Sequence, residues 1–300
     1  MSMTHKEPRS LSLNDALEVL ASKPVPILAG GTDFFPALGE RAMPDQLLDI
    51  TSVSELRGVT QDQQGWHIGA TTTWTDIINA ELPAAFDGLK AAAKQVGSIQ
   101  IQNAATIAGN ICNASPAADG VPPLLALNAS VELASLTQRR RLPLAEFING
   151  PRSTALAANE LLVSIYVPTL SDDVRSGFYK LGSRKYLVIS IAMASVTLAA
   201  DKSGHLTDVK IVVGACSAVA RRLELLEKSL IGQSVHSDVM PLITSSAFDE
   251  LTPIDDVRGS GHYRKLAAHQ IVMRLILSTL RQLPQYKQPE ILTDSEGQHP

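Results

Sequence analysis

The sequence predicts an α+β fold in two domains. Three observations carry that reading. Short apolar runs alternate with stretches of helical periodicity up to about Val167. The segment Pro168 to Ser176 turns polar, with Ser171-Asp172-Asp173 inside it, and reads as a domain boundary. Beyond it, Gly177 to Lys180, Ile191 to Ala199 and Val209 to Val213 read as strands around the turn Asp201-Lys-Ser-Gly204, which predicts an antiparallel sheet. The expected division is 1–170, then 174–284, then a polar tail 285–300.

The elements follow in order. Ser12 to Ser22 predicts a helix, since Ser12 and Asp15 form a capping-box pair before Leu13, Ala16, Leu17 and Leu20. Val25 to Leu28 is a short strand running into Ala29-Gly30-Gly31-Thr32-Asp33. Paired glycines after a strand permit positive φ and close backbone approach, which suits a phosphate turn and equally an ordinary strand-to-helix turn. Phe34 to Leu38 starts a helix, and Gln46 to Ile50 is a strand. Trp66 to Gly69 reads as a strand, Thr73 to Asp76 opens a helix, and Leu82 to Val96 is another.

Thr106-Ile-Ala-Gly-Asn110, with Ala114-Ser-Pro-Ala-Ala-Asp119, reads as a second small-residue turn. Its uncovered N–H groups could cradle an anion, and Asn110, Ser115 and Asp119 could fix hydroxyls or ring edges. Packing of an ordinary loop on a helix is the competing reading. Two such turns about eighty residues apart suit a pyrophosphate, hence a dinucleotide. Pro122 to Leu127 is helical, Ser130 to Leu136 a strand, and Leu142 to Phe147 and Leu161 to Val167 are further elements. Arg139-Arg140-Arg141 reads as solvated surface at a turn. Leu223 to Leu230 is helical. Tyr263, Ala267, Ile271 and Leu275 follow i,i+4 spacing, which predicts a long closing helix.

Bulk properties exclude several function classes. The 300 residues carry 26 basic and 30 acidic side chains, a net charge of −4, with 45% hydrophobic and 4% aromatic residues. That balance gives no electrostatic or stacking footprint for nucleic acid. Cys112 and Cys216 form no C-x-x-C, and the seven histidines form no H-x-x-x-H, so no metal centre is expected. No secretory signal is visible, and the run Ile189 to Ala200 is too short to span a bilayer. The expectation is a soluble, cytoplasmic chain. P-loop, G-x-G-x-x-G and G-x-S-x-G motifs are absent, and no catalytic residue is expected.

An ordered set of blocks resembles one family. It comprises Ala29 to Asp33, Thr106 to Asn110 with Ala114 to Asp119, and Pro122 to Leu127. Gly150-Pro-Arg-Ser-Thr154 with Glu160 to Leu162, Tyr179 to Lys185, Ile211 to Gly214 with Arg221, and Tyr263-Arg264 complete it. These are similar to the FAD-binding medium subunits of molybdenum hydroxylases, of the xanthine dehydrogenase and carbon monoxide dehydrogenase type. The resemblance implies a two-lobed FAD domain of the p-cresol methylhydroxylase/vanillyl-alcohol oxidase (PCMH/VAO) type, with lobes of about 1–58 and 59–170, then a CO-dehydrogenase-flavoprotein-like C-terminal domain with a small antiparallel sheet and helices.

It also implies a role. FAD would take electrons from [2Fe–2S] clusters of an iron–sulfur subunit, fed by a molybdopterin subunit, and pass them to NAD+ or another acceptor. Carried over residue by residue, Leu28, Ala29, Gly30, Gly31, Thr32, Asp33 and Phe34, with Thr106, Ala108, Gly109 and Asn110, would hold the pyrophosphate. Ser115 belongs to the same block. Asp119 would lie by the flavin or its ribityl chain, or cap the next helix. Leu162 would pack near the isoalloxazine, and Lys180 near its pyrimidine edge, where the alternative is a solvent-facing strand lysine. Ala108 departs from the family's usual glycine, and its methyl is expected to restrict φ and crowd the phosphate. A self-sufficient flavin oxidase and a non-catalytic scaffold remain the alternatives, and copurifying partners discriminate among them.

Overall fold

The computed structural model describes residues 11–184 and 187–287. Lys185 of the resemblance block, residues 1–10 of the first expected lobe and most of the expected tail, 288–300, lie outside the described residues.

The chain opens with helix α1 (Leu13–Ser22), capped as its sequence predicts: the Asp15 N–H donates to Ser12 Oγ and the Ser12 N–H to Asp15 Oδ2. Strand β1 (Ile27–Leu28) pairs in parallel with β2 (Leu48–Asp49), and the short helix α2 (Phe34–Leu38) lies between them. Next come β3 (Val59–Gln61), β4 (Gly65–Gly69) and the helices α3 (Trp74–Asn79), α4 (Asp87–Ala93), α5 (Ile99–Ala104), α6 (Ile107–Asn113) and α7 (Val121–Ala126). Strands β5 (Ser130–Ala134) and β6 (Arg139–Pro143) follow, then α8 (Leu144–Phe147), the hairpin β7 (Ile148–Gly150) and β8 (Ser153–Thr154), and β9 (Leu161–Pro168). Strands β3, β4, β9, β5 and β6 form one antiparallel sheet in that spatial order. Long-range pairing places β9, last in sequence, at its centre, and β9 is apolar at almost every position as a central strand must be.

The second sheet is antiparallel throughout: β10 (Arg175–Leu181), β11 (Ala192–Ala200), β12 (Leu206–Gly214) and β13 (Arg221–Arg222). Helix α9 (Glu224–Leu230) packs on β12, and the twenty-residue α10 (Gly261–Leu280) lies across β10 and β11. On α10, Ala267, Ile271 and Leu275 are buried, while Tyr263 and Leu266 stay about half exposed. Two apolar cores result, one around the five-stranded sheet and one around β11, β12 and α10. Between them α4 packs on β10, and Ala92, Phe178 and Met193 make a small apolar bridge. Ser176 Oγ accepts from the Gly88 N–H at 2.8 Å and donates to the Ala85 carbonyl at 2.7 Å across that junction.

Four local expectations change. The Thr106 stretch is a helix N-terminus rather than a turn: Thr106 caps α6 by accepting from the Gly109 N–H at 3.1 Å. Burial of Ile107, Ala108 and Ile111 outweighs the poor helix propensity of Gly109 and Asn110. The expected helix 82–96 begins as a 3-10 turn after Pro83 and ends at Ala93, because the Gln102 side chain takes the Lys94 and Val96 carbonyls. The three arginines lie on β6, not at a turn. There Arg140 ion-pairs with buried Glu160, and Arg141 reaches Glu132 and covers the Tyr166 ring. Finally, Gly120 and not Asp119 precedes α7, so Asp119 caps nothing.

Candidate functional site

A cleft of about 480 Å³ opens between the β1–β2 lobe and the five-stranded-sheet lobe. Ile27, Ala29 to Phe34 and Ile50 form one wall. Ala70, Trp74, Val96, Ile101, Ala105, Thr106, Ala108 to Asn110, Cys112 and Asn113 form the other, and Leu156, Leu161 and Leu162 close the end. Its size and largely apolar lining, with a few polar groups, are those of a small-molecule or cofactor site.

The loop after β1 is built to bring backbone to a ligand. Gly31 has φ +70°, a region that favours glycine. A Cβ on Gly30 would lie 1.9 Å from the Ala104 carbonyl oxygen, so only glycine lets this loop meet the end of α5. The N–H groups of Gly30, Gly31, Thr32, Asp33 and Phe34 donate to no acceptor among the described residues. Five successive free donors on a small-residue loop make a concavity for an anion. The facing wall adds the first turn of α6, where the Ala108 N–H is also free among the described residues. Ala108 lies within α6 without a positive φ, so its methyl sits in ordinary helix and imposes no φ strain.

The expected residues divide in two. Ala29 to Phe34, Thr106, Ala108, Gly109, Asn110 and Leu162 converge on the cleft. Leu28 does not line it, since its neighbours Ile27 and Ala29 do and strand side chains alternate. Ser115 makes a local turn, accepting from the Ala117 N–H. Asp119 and Lys180 form a separate cluster at the junction of the two domains. Lys180 Nζ donates to Asp119 Oδ2 at 2.6 Å and reaches the Gln95 carbonyl at 3.4 Å, while Ser190 Oγ donates to Asp119 Oδ1 at 2.7 Å. Lys180 and Asp119 side chains are 7% and 9% exposed, so the solvent-facing strand lysine is excluded. Burial pushes the Asp119 carboxyl up, opposed by Lys180 and Ser190. Gln95 adjoins the cleft residue Val96, which links this cluster to the cleft wall.

Sequence reasoning missed several cleft residues. Cys112 and Asn113 lie one turn beyond Ala108 to Asn110 on the same short helix, and helical spacing could have found them. Burial pushes the Cys112 thiol up to about 12, which opposes thiolate formation there. Trp74 and Leu156 carry no local signal, and only the fold brings them to the cleft, as it brings Ser190 to the Asp119–Lys180 cluster. Trp74 is fully buried, and its Nε1 has no partner among the described residues. Among the described residues no cluster of three or more metal-binding side chains occurs, and no helix is long and apolar enough to cross a membrane.

Residues 7–170 match the family described as the FAD binding domain in molybdopterin dehydrogenase, which is more than half of the chain. The chain belongs to this family of FAD-binding subunits. Residues 177–279 match the CO dehydrogenase flavoprotein C-terminal domain. The glyceraldehyde dehydrogenase medium chain of Sulfolobus acidocaldarius is 33% identical over 89% of this chain and 95% of its own. The nicotinate dehydrogenase FAD-subunit of Eubacterium barkeri is 31% identical over 87% and 90%. The solved carbon monoxide dehydrogenase from Hydrogenophaga pseudoflava superposes with a TM-score of 0.82 at 27% identity, covering 91% of this chain and 96% of that one. This FAD-binding subunit is therefore part of an oxidoreductase of the molybdenum hydroxylase type, and its cofactor is FAD.

Proposed function

We propose that this subunit carries FAD in the cleft between its two N-terminal lobes and relays electrons there. The donor would be [2Fe–2S] clusters of an iron–sulfur partner, fed by a molybdopterin partner, and the acceptor NAD+ or another oxidant. FAD suits the junction because it accepts electrons singly and delivers them as a pair. The observation that carries the reading is the row of five N–H groups from Gly30 to Phe34 that are free among the described residues, on a loop that lines the cleft together with the first turn of α6.

The chain's own residues divide the work. The Gly30–Phe34 amides would bind the diphosphate, with the Ala108 N–H and the Thr32 hydroxyl beside them. Trp74, Val96, Leu161 and Leu162 would cover apolar surface of the cofactor and exclude water. Lys180, fixed by Asp119 and Ser190, would stand at the domain junction near the flavin ring, with its charge balanced by Asp119. Asp119 holds that ammonium in place and offsets its burial. The substrate would be set by the molybdopterin partner, since relatives of this length carry names as different as glyceraldehyde and nicotinate dehydrogenase.

The test is coexpression with candidate partner chains, followed by isolation and spectroscopy. A complex containing flavin, iron–sulfur and molybdenum, whose flavin absorption bleaches anaerobically on adding NADH, supports the reading. Flavin that bleaches only with a quinol keeps the relay and changes the acceptor. A chain that takes up FAD yet oxidises a small substrate with no partner present replaces the relay with a flavin oxidase.

A further inference from the structure

Among the described residues the cleft wall holds no lysine, arginine or histidine, and its one charged residue is an acid, Asp33. That arrangement opposes the loop's own chemistry. Asp33 lies within the run of free N–H groups, and a carboxylate there repels any phosphate the amides attract. A compensating cation comes from 119 positions away. Arg152 Nη1 lies 3.0 Å from Asp33 Oδ2. The same Nη1 donates to the Asn113 side-chain oxygen and reaches the Asn113 carbonyl at 3.5 Å. The Arg152 N–H donates to the Ala114 carbonyl at 2.9 Å.

Arg152 thus joins three segments: the loop after β1, the C-terminal end of α6 and the β7–β8 hairpin. Its backbone has φ +58°, and Ala114, which it bonds, has φ +46°. Both are non-glycine residues in the left-handed region, where hydrogen bonding to neighbours must hold them. The strained hairpin tip aims the guanidinium at Asp33.

We propose that Arg152 is a positioning residue for the dinucleotide: it neutralises Asp33 within the diphosphate loop and clasps that loop to the end of α6. The inference rests on the reading that the Gly30–Phe34 loop takes the FAD diphosphate. With Arg152 present, the loop offers its amides with no net opposing charge. Without it, the same amides carry an uncompensated carboxylate, and the loop is free to move from α6.

The experiment is FAD titration of the full chain, stripped of flavin, followed by the quenching of flavin fluorescence at two salt concentrations. Four proteins are compared: wild type, Arg152→Met, Asp33→Asn and the double variant. The expected result is an Arg152→Met dissociation constant raised about tenfold, narrowing at high salt because the repulsion is screened. Asp33→Asn keeps every loop amide and leaves Arg152 uncompensated, so it should bind FAD more tightly than wild type, by up to about threefold. An Asp33→Asn protein that binds more weakly overturns the neutralisation, and the double variant should recover most of the Arg152→Met loss. An Arg152→Met protein that binds like wild type overturns the proposal. A double variant as weak as Arg152→Met overturns the neutralisation, since the arginine would then act without Asp33. A wild-type chain that takes up no FAD overturns the cleft reading and this one with it, and is distinguished by failing before any variant is compared. Thermal melting of each flavin-free protein separates a lost fold from lost affinity, and the Asp33→Asn single variant reads the sign of the charge effect even where Arg152→Met unfolds.

Discussion

At the residue scale the Lys180–Asp119–Ser190 cluster is the most consequential. Two opposite charges are buried together, so removing one leaves the other without its counter-charge, a loss of about 3 kcal/mol or more. Lys180→Met should therefore destabilise the chain by about that amount in urea unfolding, and Lys180→Met with Asp119→Asn should recover much of it. The pH sign follows from burial. Asp119 is already pushed up with Lys180 present. In Lys180→Met its folded pKa stands further above the unfolded value. Stability is then fully present below the unfolded pKa of about 4 and is lost as pH rises through the folded one. The variant should lose more at pH 8 than at pH 5, and an equal loss at both would show that the carboxylate is not the cause. Gly30→Ala makes a sharper case. Its Cβ would fall 1.9 Å from a backbone oxygen, so a loop must shift. FAD uptake should drop about tenfold or more, measured by fluorescence.

At the element scale, caps and clasps set where short helices begin. Helix α6 has only seven residues and is marginal without its tertiary setting. Thr106→Ala removes the acceptor of the Gly109 N–H and should cost about 1 kcal/mol, read by chemical denaturation. It should also weaken FAD binding, because the first turn of α6 is part of the cleft wall. Ser176 performs a comparable task between domains. Ser176→Ala leaves the buried Gly88 N–H without an acceptor, worth about 1–3 kcal/mol. If α4 and β10 were held by apolar packing alone, that variant would melt like wild type. Helix α1, by contrast, carries its complete capping box in its own sequence.

At the scale of the whole molecule, charge pairing ties distant strands, and acid should undo it. Arg140 on β6 holds Glu160, next to β9, below the usual carboxylate range. The Arg258 N–H, with Arg264 and Arg258 side chains, holds Asp256 at about 2. Depressed folded values contribute stability above the unfolded pKa, which is lost as pH falls through the folded one. Stability should therefore decline between about pH 4 and pH 2, visible as a falling thermal midpoint. Arg140→Met should reduce stability by about 2 kcal/mol at neutral pH, because Glu160 is 4% exposed and loses its charge partner. That loss should shrink as the medium is acidified toward the carboxylate range.

The sequence by itself determined the fold family, the helix capping box at Ser12, the antiparallel pairing of the second sheet and the cofactor class. Those features are local or motif-borne: a capping box spans four residues, alternation reads along one strand, and ordered blocks identify a family without any knowledge of distance. The tertiary structure alone decided the rest. Lys180 looks like any strand lysine until the domain junction closes over it with Asp119 from 61 positions away. Ser190 and Arg152 carry no sign of their partners, and the Thr106 stretch, full of poor helix formers, becomes helical because its apolar face is buried. Burial and through-space charge pairing depend on which segments the fold brings together, and single-chain periodicity contains neither.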